Sequence, residues 1–242
     1  MKENRKPIEP SLFLCNGTSG AGLSTAIESI TKLGVSKPAT QFTTRALRPN
    51  EKRGDQFYSV SAETLNKIPA QIGLIGENYG NTYGFFYPGI HKMHRILEKQ
   101  NIILDALNTR EEWRVVLGEN TKIVTIYFAP ASPNLSIQRI IDRAKQTGAN
   151  LSKEELTTRI MGNAQNIGRI REFDYWLDTT DLDTVLPSLQ SIIDHHGFGS
   201  DIQPLAISVT TNPNLIGDLI RNYSLNQLEE FGGTLKKSYN LD

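Results

Sequence analysis

Apolar residues in this chain fall into short blocks separated by longer amphipathic stretches. Ser11 to Cys15, with Leu12, Phe13 and Leu14, is a compact apolar run that stops at Asn16-Gly17, the pattern of a buried strand. From Ser24 the period changes: Ala26, Ile27, Ile30 and Leu33 fall on one helical face, and Gly34 supplies a stop. Residues 102–105 and 122–128 repeat the strand pattern, and 175–177 is a shorter apolar run of the same kind. Between these lie predicted helices over about 89–100 and about 134–146. Another starts at Thr109, with Glu112 completing a capping box and Trp113 and Val116 as its apolar residues. A long helix starts at Ser152, with Glu155 as cap partner and Leu156, Ile160, Ala164 and Ile167 facing inward; a last one opens at Asp183 and runs through Ile193. Strands alternating with helices, and no hairpin joining the strong strands, predict a parallel sheet covered on both faces.

Two regions depart from that rhythm. Residues 41–87 contain short aromatic-rich stretches with turn signals at Pro49-Asn50, Arg53-Gly54 and Gly80-Asn81, predicting small strands, loops and a short helix near Ser61. After Gly197 come a strand pattern at 205–209 and two short helices, the second capped by Ser224 and Gln227. The chain shows no internal repeat and no low-complexity tract.

At 242 residues the chain can bury a core sufficient for one α/β domain with insertions, or two small domains. Lys+Arg and Asp+Glu each number 26, so the formal net charge is zero; this argues against a broad nucleic-acid or acidic-membrane footprint but allows local arginine clusters. Cys15 is the only cysteine and cannot form an intrachain disulfide, and no metal-type Cys/His spacing occurs. No apolar run approaches the roughly 18 residues of a membrane span, and the polar start of the chain lacks a signal-peptide core. The expectation is a cytoplasmic protein with neither nucleic acid nor membrane as partner.

The candidate chemistry begins at Gly17-Thr18-Ser19-Gly20-Ala21-Gly22-Leu23-Ser24-Thr25, which fits the phosphate-loop (Walker A) pattern G-x-x-x-x-G-K-[ST] at every fixed place except the lysine. Glycines let backbone N–H groups converge on a phosphate, and the following helix adds its positive end. Gly17, Ser19, Gly20, Ala21, Gly22, Ser24 and Thr25 are therefore the candidate nucleotide-binding residues, with the Ser24 hydroxyl placed to hold Mg2+. Leu23 supplies no donor, and losing one preorganised charge donor costs about 10²–10³ in rate. Nucleotide binding can survive where chemistry does not. The plainer alternative is a Gly-rich strand-to-helix turn that holds no ligand.

A second string, Thr43-Thr44-Arg45-Ala46-Leu47-Arg48-Pro49, sets two arginines three apart, both able to reach one phosphate. With Gly54, the 57–61 stretch and Tyr79-Gly80-Asn81-Thr82-Tyr83-Gly84, it resembles the GMP-binding insertion of guanylate kinases. The order of motifs is similar to that family across roughly residues 11–193: phosphate loop, T-T-R-x-x-R-P, G-N-x-Y-G, an I-L-D strand end, an arginine-bearing lid and a D-L-D before the last helix. The resemblance implies a P-loop nucleoside-monophosphate kinase fold with a five-stranded mainly parallel sheet. It implies a core at 1–38 and 89–195 with a lid at about 139–158, a GMP-binding-like insertion at 39–88, and a C-terminal extension at 196–242. It further implies Mg2+ with ATP, acceptor-phosphate roles for Arg45, Arg48 and Tyr83, and an aromatic acceptor-site ring at Phe57. Arg139, Arg143 and Arg159 match lid arginines that close over the transferring phosphoryl group, and Asp105 matches the acidic strand end near metal and acceptor.

The departures cluster at base recognition. Gln41 stands where the family has a guanine-reading serine, Leu74 where it has the glutamate for the guanine edge (Glu77 lies three residues on), and Phe85 where a small hydroxylated residue is usual. Leu107 replaces the second acid of the D-I-D string, and Thr179 replaces an asparagine near the adenine. A base site discriminates strongly only when its buried polar partners are present. Three readings stay open: a weak or impaired guanylate kinase, a kinase with another phosphorylated acceptor, and a degenerate module binding a phosphorylated ligand or a protein partner, for which the C-terminal extension offers a surface. Each residue also has a structural alternative: lid arginines as solvated helix charges, Asp105 as a strand end, Tyr83 as packing. Asp181 and Asp183 read as turn and cap residues, His195-His196 as a helix end, and Cys15 as core.

Overall fold

The computed structural model describes residues 7–36, 40–47, 51–54, 57–148 and 151–223. The first apolar run forms β1 (Leu12–Gly17), buried from Leu12 through Asn16. It feeds α1 (Leu23–Thr31), whose Ala26, Ile27 and Ile30 are buried. Leu33, expected on the same face, is 57% exposed: the helix stops at Thr31, and a turn ending at Gly34 (φ +105) carries Leu33 off that face.

The aromatic-rich stretch folds as β2 (Gln41–Thr43), β3 (Phe57–Ser59), α2 (Ala62–Lys67), β4 (Ile72–Asn78) and β5 (Asn81–Phe86). Ser61 caps α2 by accepting from the Thr64 amide at 3.1 Å. β4 and β5 make an antiparallel hairpin turning at Tyr79-Gly80, both with positive φ, one residue before the expected Gly80-Asn81 signal. The four strands order as β3-β2-β5-β4, with β2 and β3 parallel.

Next come α3 (Tyr87–Leu97), β6 (Ile102–Asp105) and α4 (Arg110–Leu117), which opens on the Thr109–Glu112 capping box. β7 (Ile123–Ala129) is buried throughout. α5 (Pro133–Thr147) ends at Gly148 in the left-handed region, and α6 (Lys153–Asn166) starts at the Ser152 cap and passes into a 3₁₀ turn at Ile167–Glu172. β8 (Tyr175–Asp178) precedes α7 (Leu182–Phe198). Asp181, not Asp183, caps α7: its carboxylate accepts from the Asp183 amide at 3.0 Å and its carbonyl from the Thr184 amide at 3.3 Å. The helix also runs past Ile193, so His195 and His196 lie in its last turn. β9 (Ile207–Ser208) is shorter than the 205–209 pattern suggested, and α8 (Pro213–Asn222) follows.

The main sheet orders as β6-β1-β7-β8-β9, with β7 and β8 parallel and β9 antiparallel to β8 at the edge. This is an α/β fold built on a mostly parallel five-stranded sheet, as the pattern of apolar runs predicts. Backbone contacts divide the chain into two compact units. One comprises Met1–Leu14, Ile27–Val124 and Ile193–Asp201; the other comprises Cys15–Ala26, Thr125–Ile192 and Ile202–Asp242. The first unit is centred on Trp113, which meets Phe85 edge-on at 5.1 Å among Leu12, Ile90, Met93 and Leu104. The second has an aromatic core of Tyr127, Phe173, Trp176 and Tyr223, and a smaller cluster in which Ile137, Ile140 and Ile141 of α5 pack on Leu156 of α6. No helix of the described residues is long and apolar enough to cross a membrane.

Candidate phosphate-handling sites

The phosphate-loop string lies where sequence places it, between β1 and α1, within the second unit. Its start is pinned by the Thr18 amide donating to the Phe128 carbonyl at 3.0 Å, and it tightens through the Ala21 amide to the Thr18 carbonyl at 3.1 Å. Gly20 has φ +88, and a Cβ there would lie 2.3 Å from the Ser136 carbonyl oxygen, so only glycine fits. Ser24 and Thr25 are exposed at the start of α1, and Leu23 is half-buried. An exposed hydroxyl at Ser24 suits Mg2+, a hard cation that keeps several waters and shares phosphate oxygens, and so needs few protein ligands.

Ser19 is held by α6. Its amide donates to the Asn163 side-chain oxygen at 2.7 Å, and the Asn163 amide nitrogen returns a bond to the Ser19 carbonyl at 3.3 Å. Asn163 is 1% exposed on the inward face of α6, so this two-point contact satisfies a buried polar side chain. One turn earlier, Arg159 Nη1 donates to the Ser19 hydroxyl at 2.9 Å while Glu155 holds its other edge at 2.7 Å. A guanidinium thus sits on the loop that lacks its own lysine.

The other two lid-type arginines lie elsewhere in this unit. Arg139 donates to the Thr179 and Thr180 carbonyls at 2.8 and 3.1 Å. Burial lowers its pKa from the ordinary value, opposed by Tyr223 and Asp178. Arg143 is exposed on α5, its carbonyl accepting from the Thr147 hydroxyl at 2.9 Å.

The acceptor-type residues form a cluster in the first unit. The Arg45 guanidinium lies 4.8 Å from the centre of the Phe57 ring, and Phe57 meets Tyr83 edge-on at 6.0 Å. Arg45 also makes a two-pronged pair with Glu51, both bonds 2.7 Å. Burial pulls the Arg45 pKa down, but hydrogen bonds and charge from Glu51 and Tyr83 outweigh it, so the group is held above its ordinary value. Tyr83 pairs with Thr43 and Gly76 across β5, where Gly84 leaves room for Phe42: a Cβ there would lie 2.4 Å from the Phe42 ring. Arg48, the second arginine of the string, lies outside the described residues, as do the Pro49-Asn50 turn and the Ser224–Gln227 cap.

Of the positions that depart from the family pattern, Leu74, Phe85 and Leu107 are apolar and occupied by packing. Leu74 and Phe85 are 6% and 1% exposed and belong to the core around Trp113. Glu77 is exposed and, three residues along β4, faces the side opposite Leu74. Leu107 lies over Gly76, its Cβ 3.1 Å from where a Gly76 Cβ would sit. The Gln41 side chain donates to the Asp105 carbonyl at the end of β6. Sequence reading missed Asn163, Glu51 and Tyr223. The signal for Asn163 was an amide on the inward stripe of α6; that for Tyr223 was its place at the end of the 216, 219, 220 apolar spacing.

A family model described as guanylate kinase matches residues 12–196. The guanylate kinase of Shewanella oneidensis is 27% identical over 191 residues, covering 76% of this chain and 86% of that protein. The guanylate kinase of Haemophilus influenzae is 26% identical over 206 residues, covering 80% and 91%. In fold, the chain is similar to the crystal structure of guanylate kinase from Anaplasma phagocytophilum, with a TM-score of 0.54 at 17% identity, covering 87% of this chain and 98% of that one. A family match that runs from β1 through the phosphate loop and the small sheet into α7 leaves no ambiguity of kinship: the chain belongs to the guanylate kinase family.

Proposed function

We propose that this protein transfers the γ-phosphoryl group of ATP, with Mg2+, to GMP or a related phosphorylated acceptor, and that Leu23 keeps the rate low. The observation that carries the reading is the convergence of Arg45, Phe57 and Tyr83, distant in sequence, around a largely buried guanidinium that stays cationic. In this reading Arg45, Arg48 and Tyr83 grip the acceptor phosphate and Phe57 lines the acceptor. Gly17, Ser19, Gly20, Ala21, Gly22, Ser24 and Thr25 surround the ATP phosphates, and Ser24 ligates Mg2+. Arg159 supplies at the loop the charge that Leu23 cannot; Arg139 and Arg143 serve as lid arginines, and Asp105 serves as the acidic catalytic residue. The insertion at 39–88 and the lid at about 139–158 are the corresponding functional segments, and the setting is cytoplasmic.

The test is turnover with Mg-ATP and GMP alongside GMP calorimetry, for the parent and Arg45→Gln. The reading expects weak turnover and GMP binding that falls about tenfold or more in Arg45→Gln, as for a charge-assisted phosphate contact. Equal binding by both proteins would remove Arg45 from the acceptor site. A second reading, a module that binds a phosphorylated ligand or protein partner without chemistry, is favoured by Leu23 and by Leu74, Phe85 and Leu107 standing at base-reading and acidic positions. Turnover of any phosphorylated acceptor defeats it.

A further inference from the structure

The family match ends at residue 196, yet residues 202–223 are built into the second unit. β9 pairs with β8, and α8 buries Ile216 and Leu219 against the aromatic core of Phe173 and Trp176. Those contacts alone describe packing. Tyr223, the residue after α8, does more. It has no solvent exposure, and its hydroxyl donates to the Pro130 carbonyl at 2.9 Å. Because its single proton goes to Pro130, the phenol oxygen is left as acceptor for the Ser136 hydroxyl at 3.4 Å and the Thr18 hydroxyl. Thr18 and Ser136 also lie 3.2 Å apart. Thr18 is the second residue of the phosphate loop, and Gly20 rests on the Ser136 peptide, as the 2.3 Å clearance at its Cβ position requires.

We propose that Tyr223 is a positioning residue for the phosphate loop, holding Thr18 and the Ser136 peptide beneath Gly20, so that residues 202–223 are a working part of the donor half. The three hydroxyls sit at the junction of β7, α5 and the loop. An apolar ring would serve packing as well as tyrosine. A buried phenol that spends its proton on one carbonyl and offers its oxygen to the Thr18–Ser136 hydroxyl pair instead fixes where the loop begins. The inference concerns loop geometry, and its link to ATP rests on the kinase reading.

The experiment is amide hydrogen exchange on the full-length protein, comparing the parent with Tyr223→Phe and Ser136→Ala, with Leu219→Ala as a packing control. Tyr223→Phe keeps the ring, and Ser136→Ala approaches the same network from its other side if the first variant folds poorly. The expected result is exchange about fivefold or more faster at residues 18–21 in both hydroxyl variants, with the β1 amides of 12–15 unchanged. Leu219→Ala instead speeds exchange across the unit. Calorimetry with Mg-ATP adds a functional arm: affinity falls severalfold in the hydroxyl variants while GMP affinity does not move. Unchanged loop exchange in both variants, or a loss spread evenly as in Leu219→Ala, overturns the proposal. A parent that binds no ATP defeats the kinase reading, and loop exchange then decides the tether by itself.

Discussion

Replacing Arg159 by glutamine removes the cation that touches the phosphate loop while leaving a side chain of similar length. Arg159 Nη1 lies 2.9 Å from the Ser19 hydroxyl, so a phosphate seated in the loop would come within a few ångströms of the guanidinium. Two unit charges about 4 Å apart interact by about 4 kcal/mol at an effective dielectric of about 20. If only part of that is gained in the transition state, the loss in kcat is about 10²–10³. The structural cost is much smaller. Arg159 and Glu155 form an i,i+4 pair whose carboxylate side chain is 47% exposed, and such pairs contribute roughly 0.5 kcal/mol. Steady-state turnover with Mg-ATP and GMP, beside a denaturant titration, separates the two effects. The same substitution made on a Leu23→Lys background should cost only about tenfold, because a second cation then reaches the same phosphates. An Arg159→Gln variant with parental kcat, or an equal loss in both backgrounds, would refute the idea that Arg159 replaces the missing lysine.

Further outcomes follow from particular contacts. Asn163→Ala leaves the Ser19 amide and carbonyl without their two-point partner, and should lower unfolding free energy by about 1–3 kcal/mol in a urea titration. Burial pushes the Tyr223 phenol up to about 12, with Ser136 and Thr18 opposing. A raised folded-state value gives stability that is complete below the unfolded value of about 10 and is lost as pH rises through the folded one. Melting curves should therefore show about 3 kcal/mol lost between about pH 10 and 12, a component absent from Tyr223→Phe. Trp113→Ala empties the centre of the first unit beside Phe85 and should cost about 3–5 kcal/mol by denaturant titration.

Most of the architecture was legible because the inner strands of the main sheet are buried on both faces. Runs such as 12–15, 102–104 and 123–129 need no partner to be recognised. Capping chemistry was equally direct at Ser61, Thr109 and Ser152, since each cap is local. Leu33 and Asp181 were misjudged by a turn or less, at helix ends where one residue changes the face. The small sheet was harder, because β2 and β3 have three residues each and their pairing is set by distant strands. In the candidate sites, glycines and arginines were visible as motifs. Their partners were not: Glu51 on Arg45, Asn163 on Ser19 and Tyr223 on Thr18 are unions of residues separated in the chain, and no spacing rule encodes them. Leu74 shows the converse. Read from its place in a motif, it marked a lost base contact; in the fold it is also a core residue beside Phe85.

The central claim is that a guanylate-kinase scaffold retains phosphate handling around a loop whose lysine position holds leucine. The most direct measurement is coupled-assay turnover with Mg-ATP and GMP for the parent and Leu23→Lys. The account predicts slow but measurable turnover in the parent and a rise of about tenfold or more in Leu23→Lys. No turnover in either protein, with no calorimetric binding of ATP or GMP, would contradict it.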